Sequence, residues 1–98
     1  MPNIKFSYCY RDSGNYKNYG AVIFANTEGI DLSVVNNLIQ AKLIDGTWFY
    51  ASRWNIPNLF FASIDIEADP TWHQFEFVEY TEENSTRQLS DLFRSLGS

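Results

Sequence analysis

The segment Tyr8-Cys9-Tyr10-Arg11-Asp12-Ser13-Gly14-Asn15-Tyr16-Lys17-Asn18-Tyr19-Gly20 gathers more chemistry than any other stretch of the chain, combining a guanidinium, an ammonium, two carboxamides and several phenols. Charge-assisted hydrogen bonds from Arg11 and Lys17, with stacking on the phenol rings, suit the capture of a carboxylate, a phosphate or a base. The ligand-binding candidates here are Arg11, Asp12, Asn15, Tyr16, Lys17 and Asn18. The same residue types also serve a loop that binds nothing: Arg11 pairs with Asp12, Asn15 and Asn18 shape the turn, and the tyrosines cover a core edge.

A second candidate is Asp69-Pro70-Thr71-Trp72-His73, because His73, the single histidine, is the one side chain whose ordinary pKa lies near neutrality. Trp72 and His73 join the ligand-binding candidates. A general base needs a nucleophile or metal beside it, and no serine, cysteine or ligand cluster accompanies His73, so a hydrogen-bonded structural histidine is the competing reading. Asp65, Glu67, Asp69 and Glu76 stand at positions 1, 3, 5 and 12 of a calcium-loop frame. Pro70 then occupies the position that requires glycine, and the flanks read as strands where the motif needs helices. With one cysteine and one histidine, a zinc site built from several such ligands cannot form within the chain, and the scattered glycines make no phosphate loop. The sequence therefore assigns no catalytic residue, no metal and no cofactor.

Charge is the next signal. The net charge is −5, and it is unevenly spread. Asp65, Glu67, Asp69, Glu76, Glu79, Glu82 and Glu83 fall in one stretch without a Lys or Arg between them. Such a segment argues against direct contact with a nucleic-acid backbone and suits a basic protein partner, so these seven residues are the partner-binding candidates. A solvated acidic segment that only aids solubility is the plainer alternative.

These groups need elements to hold them. Ile4, Phe6, Tyr8 and Tyr10 alternate with Lys5, Ser7, Cys9 and Arg11, the pattern of a strand with one buried face. A long loop from Asp12 to Gly20 then leads to a second strand over Ala21 to Ala25. Asp31 is placed to cap a helix with apolar positions Leu32, Val35, Leu38, Ile39 and Leu43, and Asp45-Gly46 is placed to end it. Short strands are expected within Thr47 to Trp54 and over Leu59 to Ser63, separated by a turn at Ile56-Pro57-Asn58. Trp72 to Tyr80 alternates, which predicts that Phe75 and Phe77 both enter the core. Ser85 and Gln88 fit a capping box ahead of a last helix carrying Leu89, Leu92, Phe93 and Leu96. The expected fold is α+β: a mainly antiparallel sheet of four or five strands, with two helices packed on one face.

A chain of 98 residues with 45% hydrophobic and 17% aromatic residues has room and apolar area for one domain over 1–98. Its start shows neither the basic and apolar regions of a signal peptide nor a membrane-spanning run, so the expected location is cytoplasmic, with no membrane association. Trp48, Phe49, Tyr50, Trp54, Phe60 and Phe61 exceed what a small core absorbs, which leaves an exposed patch for a partner or a second copy of the chain. The Tyr8 to Gly20 segment, the Asp45-Gly46 pair and the stretch from Asp69 to Phe75 together resemble small uncharacterised bacterial proteins of about this length. The resemblance implies a bacterial cytoplasmic setting and carries over no catalytic residues. The function expected first is a small acidic non-catalytic protein that binds a macromolecule, of the inhibitor, immunity, antitoxin or accessory-subunit kind. A module binding a small molecule or nucleotide through the Arg11 to Asn18 loop comes second, and a hydrolase using His73 with Asp69 or Glu76 third.

Overall fold

In a computed structural model, which describes residues 2–60 and 72–96, the chain runs β1 (Asn3–Arg11), β2 (Lys17–Phe24), α1 (Leu32–Gln40), β3 (Trp48–Phe49), β4 (His73–Thr81) and α2 (Leu89–Leu96). The strands form one antiparallel sheet in the order β2-β1-β4-β3, so the fold is α+β. No helix among the described residues is long and apolar enough to cross a membrane.

β1 is one of the two interior strands, and its alternation is the cleanest in the sequence. Ile4, Phe6, Tyr8 and Tyr10 are fully buried, and the first three share one core cluster with Val35 and Ile39 of α1 and Leu89, Leu92 and Leu96 of α2. The rings of Tyr8, Phe49, Trp54 and Phe75 surround Phe6 with centroids 5.3–6.1 Å away. Tilted and edge-on aromatic packing of this kind adds to the stabilisation from buried area alone.

The hairpin between β1 and β2 is tighter than the sequence suggests. Pairing of Arg11 with Lys17 shortens the expected long loop to residues 12–16 and places Lys17, Asn18, Tyr19 and Gly20 inside β2. Asp12 Oδ1 accepts the Tyr16 N–H at 2.9 Å, and Asn15 takes a left-handed φ of 67°, which asparagine tolerates better than most residues. These local bonds explain why strand pairing extends so far toward the turn.

At β4 the ladder slips. Ser7 stands opposite Phe77 and Tyr8 opposite Phe75, so Glu76 is an extra residue and the strand carries a β-bulge. The side-chain alternation changes phase there. Phe75 stays in the core at 7% exposure, whereas Phe77 is turned to the opposite face at 51%. The expectation that both phenylalanines enter the core is thus corrected by one inserted position that periodicity alone does not reveal.

The helices also differ from expectation in their ends. α1 stops at Gln40, and Leu38 is exposed where the apolar pattern put it inside. Asp45 and Gly46, both at positive φ, form a tight turn whose flanks, Ile44 and Trp48, exchange backbone hydrogen bonds of 2.7 and 2.9 Å. They build a reversal into β3 instead of ending the helix. Asp31 occupies the cap position, but its side chain makes no cap hydrogen bond to a backbone amide. The hydroxyl of Tyr80, reaching across from β4, accepts the Leu32 N–H at 2.8 Å instead. Tyr80→Phe should therefore lower the unfolding free energy by about 1 kcal/mol or slightly less, the usual worth of a helix cap. Urea denaturation measures it, and an unchanged midpoint would show that water replaces the hydroxyl at no cost.

Before α2 the proposed capping box is not formed. Ser85 Oγ accepts the Arg87 N–H, and α2 starts at Leu89, after the backbone of Arg87 and Leu89 has hydrogen-bonded to Ala25 at the end of β2. Sheet extension captures the residues that the box would have used. The aromatic segment Thr47 to Trp54 contributes only the two-residue β3, followed by turns. Leu59 and Phe60 are not in a strand, and the remainder of that expected strand, with Gly97, lies outside the described residues.

Candidate functional site

The two faces of the sheet have different fates. Inner-face residues enter the core, and the buried residues of both helices belong to that same core. The outer face carries Lys5, Ser7, Cys9 and Arg11 from β1, and register adds Ile23, Ala21, Tyr19 and Lys17 from β2 beside them. β4 brings Glu79 opposite Lys5, Phe77 opposite Ser7 and Gln74 opposite Cys9, and β3 sets Trp48 opposite Gln74.

Small residues at the centre and large ones at the sides make a groove. Ser7 of β1 lies between Tyr19, at 63% exposure, and Ala21 of β2 on one side and Phe77 of β4 on the other, and with Glu76 they line an open concavity of about 380 Å³. The bulge creates this arrangement, because without the extra residue Phe77 would be in the core. Glu76 is held in place by Cys9, whose buried thiol donates to Oε1 at 3.0 Å. Burial, the hydrogen bond to Glu76 and the Glu76 charge push the thiol pKa up to about 12. Cys9 is therefore a protonated donor at neutral pH and no nucleophile, since the thiolate is the reactive form.

At the hairpin end of this face, the Arg11 guanidinium lies over the Trp48 ring at 5.7 Å, and Trp48 meets Trp72 edge-on at 6.2 Å. Lys17 and Tyr16 are exposed nearby in sequence, at the strand start and in the turn. The other three candidates from this segment have structural duties. Asp12 and Asn15 close the turn, and Asn18 donates through Nδ2 to the Leu59 carbonyl at 3.0 Å on the inner side. Arg11, Lys17 and Trp72 are thus brought together with Trp48, and Asn18 is separated from them.

His73 is a different kind of residue from a surface base. Its ring is 1% exposed and sits among Tyr8, Tyr10, Phe49 and Phe60, with centroids 5.2–6.0 Å away. Nε2 accepts the Leu59 N–H at 2.9 Å, which fixes the proton on Nδ1, and that atom has no hydrogen-bond partner among the described residues. Burial lowers the pKa to about 4. A lone pair already engaged inside an aromatic cage is poorly placed to take a proton from a substrate. Leu59 is anchored in turn because Gly20 has no side chain: a Cβ there would fall 2.7 Å from Leu59 Cδ2. The Tyr8 hydroxyl donates to the Pro57 carbonyl.

Of the acidic candidates, Glu76 and Glu79 lie in β4, Glu82 is exposed just beyond it, and Glu83 pairs with Lys5 at 3.4 Å. Asp65, Glu67 and Asp69 lie outside the described residues. Among the described residues no group of three or more His, Cys, Asp or Glu is placed to hold a metal ion.

Sequence reasoning missed Tyr19, Phe77, Ser7 and Ala21 as a set. Starting β2 at Lys17 would have revealed Tyr19 through simple alternation, but the bulge that exposes Phe77 leaves no mark in residue type. Comparison with protein-family models, curated proteins and solved structures finds no match to this chain.

Proposed function

We propose that this protein is a non-catalytic binding module that docks a basic protein partner on the outer face of its sheet, where Tyr19 and Phe77 are exposed. The observation that carries this reading is the groove between Tyr19 and Phe77, with the Glu76 carboxylate held at its side by Cys9. Two exposed rings beside a carboxylate form a receptor for a guanidinium or ammonium group, through cation–π attraction and a charge-assisted hydrogen bond. Glu79 and Glu82 extend the negative field, and the overall charge of −5 favours rapid encounter with a basic surface. The burial of His73 and the protonated state of Cys9 support a role without chemistry.

The test is a titration of the labelled protein with a short arginine-rich peptide, followed by backbone amide shifts. Shifts concentrated on Ser7, Tyr19, Ala21, Glu76 and Phe77 are expected. Shifts spread evenly over every acidic residue, with the groove no more affected than Asp91 on α2, would overturn the proposal.

A further inference from the structure

Residues 57–60 belong to no helix or strand, yet three strands each send a side chain to hold them. The Tyr8 hydroxyl of β1 donates to the Pro57 carbonyl, Asn18 Nδ2 of β2 donates to the Leu59 carbonyl, and His73 Nε2 of β4 accepts the Leu59 N–H. Among the described residues no backbone ladder backs these ties. The segment is therefore a strap across the inner face of the sheet, following Ile56, which is anchored in the core at 5% exposure. Pro57 and Asn58 are exposed, and Leu59 and Phe60 are half-buried. A segment with few buried apolar groups and no ladder opens at a lower free energy than the sheet beneath it.

Of the three ties, the one to His73 is the one a proton can break. The neutral ring accepts through Nε2 and carries its hydrogen on Nδ1, so a second proton can enter only at Nε2. The Leu59 N–H stands 2.9 Å from that atom, and protonation would set donor against donor. The groups packed on the ring are Tyr8 and Tyr10 from β1, Phe49 from β3 and Phe60 from the strap. The two phenols are the titratable groups among them, and burial raises the Tyr8 pKa, which keeps its hydroxyl a neutral donor to Pro57. Among the described residues no carboxylate packs on the ring to balance an imidazolium. The charged form needs water, and water reaches the ring when the strap lifts.

We infer that residues 57–60 form a pH-sensitive strap: protonation of His73 at Nε2 releases Leu59 from the sheet while β1, β2 and β4 stay paired. Release uncovers the His73 ring and Tyr10, on which Phe60 packs at 5.2 and 4.9 Å, so acid exposes an aromatic surface that the neutral protein keeps covered. The strap lies on the inner face and the docking groove on the outer one, and the inference does not rest on the docking proposal.

Hydrogen exchange of the Leu59 amide in the full chain tests it, with the Phe6 amide of β1 reporting unfolding of the whole sheet. Between pH 7 and pH 5, above the ordinary carboxylate range of about 4, His73 is the one side chain expected to titrate. With a pKa of about 4 when strapped and the ordinary 6.5 when opened to water, the opening constant should rise about twentyfold over that interval. After correction for the intrinsic exchange rate, Leu59 protection should fall by that factor, remain below that of Phe6 at both pH values and be insensitive to low concentrations of urea. His73→Gln, whose carboxamide can accept the Leu59 N–H but cannot be protonated, should abolish the pH dependence. Leu59 protection that does not change with pH, or that matches Phe6 in size and urea dependence, would overturn the inference from the wild type alone. An undiminished pH dependence in a folded His73→Gln variant would overturn it as well.

Discussion

Phe75→Ala is expected to destabilise the protein by about 3–5 kcal/mol, and Phe77→Ala, two residues away on the same strand, by about 1 kcal/mol or less. Phe75 packs on Phe6 at 5.3 Å inside the core, so its removal leaves a cavity that the surrounding rings cannot fill. Phe77 is half exposed, and most of what it loses on truncation is already in contact with water. In a domain of this size a loss of 3–5 kcal/mol lowers the melting temperature by roughly 15–30 °C, against a few degrees for the smaller change. Thermal unfolding of both variants measures the contrast. Equal and large losses would mean that both rings are buried and that the bulge at Glu76 does not exist.

Acidification supplies the second large effect. His73 has a folded pKa of about 4 against an ordinary value of 6.5, because burial disfavours the imidazolium. Between those values the unfolded chain binds a proton that the folded chain refuses, so unfolding becomes easier as pH falls. The stability contributed by the neutral ring is complete above about pH 6.5 and is lost progressively down to about pH 4, a total of about 3 kcal/mol. Carboxylates also titrate toward the lower end, so the clean measurement is the difference between the protein and His73→Phe, which fits the aromatic cage and does not titrate. At pH 7 the wild type keeps the bond from the Leu59 N–H, which the variant leaves unmet. That advantage should shrink by about 3 kcal/mol by pH 4. A difference that stays constant with pH would show that His73 is solvated in the folded state.

The parts of this fold that are legible in the sequence are those where one face is buried without interruption. Ile4, Phe6, Tyr8 and Tyr10 announce β1, and the Leu89, Leu92 and Leu96 spacing announces α2, because burial and periodicity agree there. The illegible parts depend on partners distant in the chain. Tyr80 supplies the α1 cap from 48 residues away, and Ala25 bonds to the Arg87 carbonyl and the Leu89 N–H on either side of Gln88, where the sequence places a capping box. The site follows the same division. Lys17 and Arg11 were visible by type, but Asp12, Asn15 and Asn18 proved to be spent on the turn and on Leu59. Tyr19 and Phe77 come together only through strand register and a bulge, and neither is encoded by local residue preference.

Docking on the outer sheet face between Tyr19 and Phe77 is the central claim, and a comparison of two double variants tests it most directly. Affinity for the arginine-rich peptide is measured across a range of salt concentrations for the wild type, for Tyr19→Ser with Phe77→Ser, and for Glu82→Gln with Glu83→Gln. The first pair leaves the net charge untouched and removes the groove walls; the second removes the same number of side-chain functions from the far end of the acidic run. Loss of affinity of about tenfold or more in the Tyr19 and Phe77 pair at every salt concentration, with a smaller and salt-dependent loss in the glutamate pair, is the predicted result. Undiminished affinity in the Tyr19 and Phe77 pair would contradict it and leave only a diffuse acidic surface.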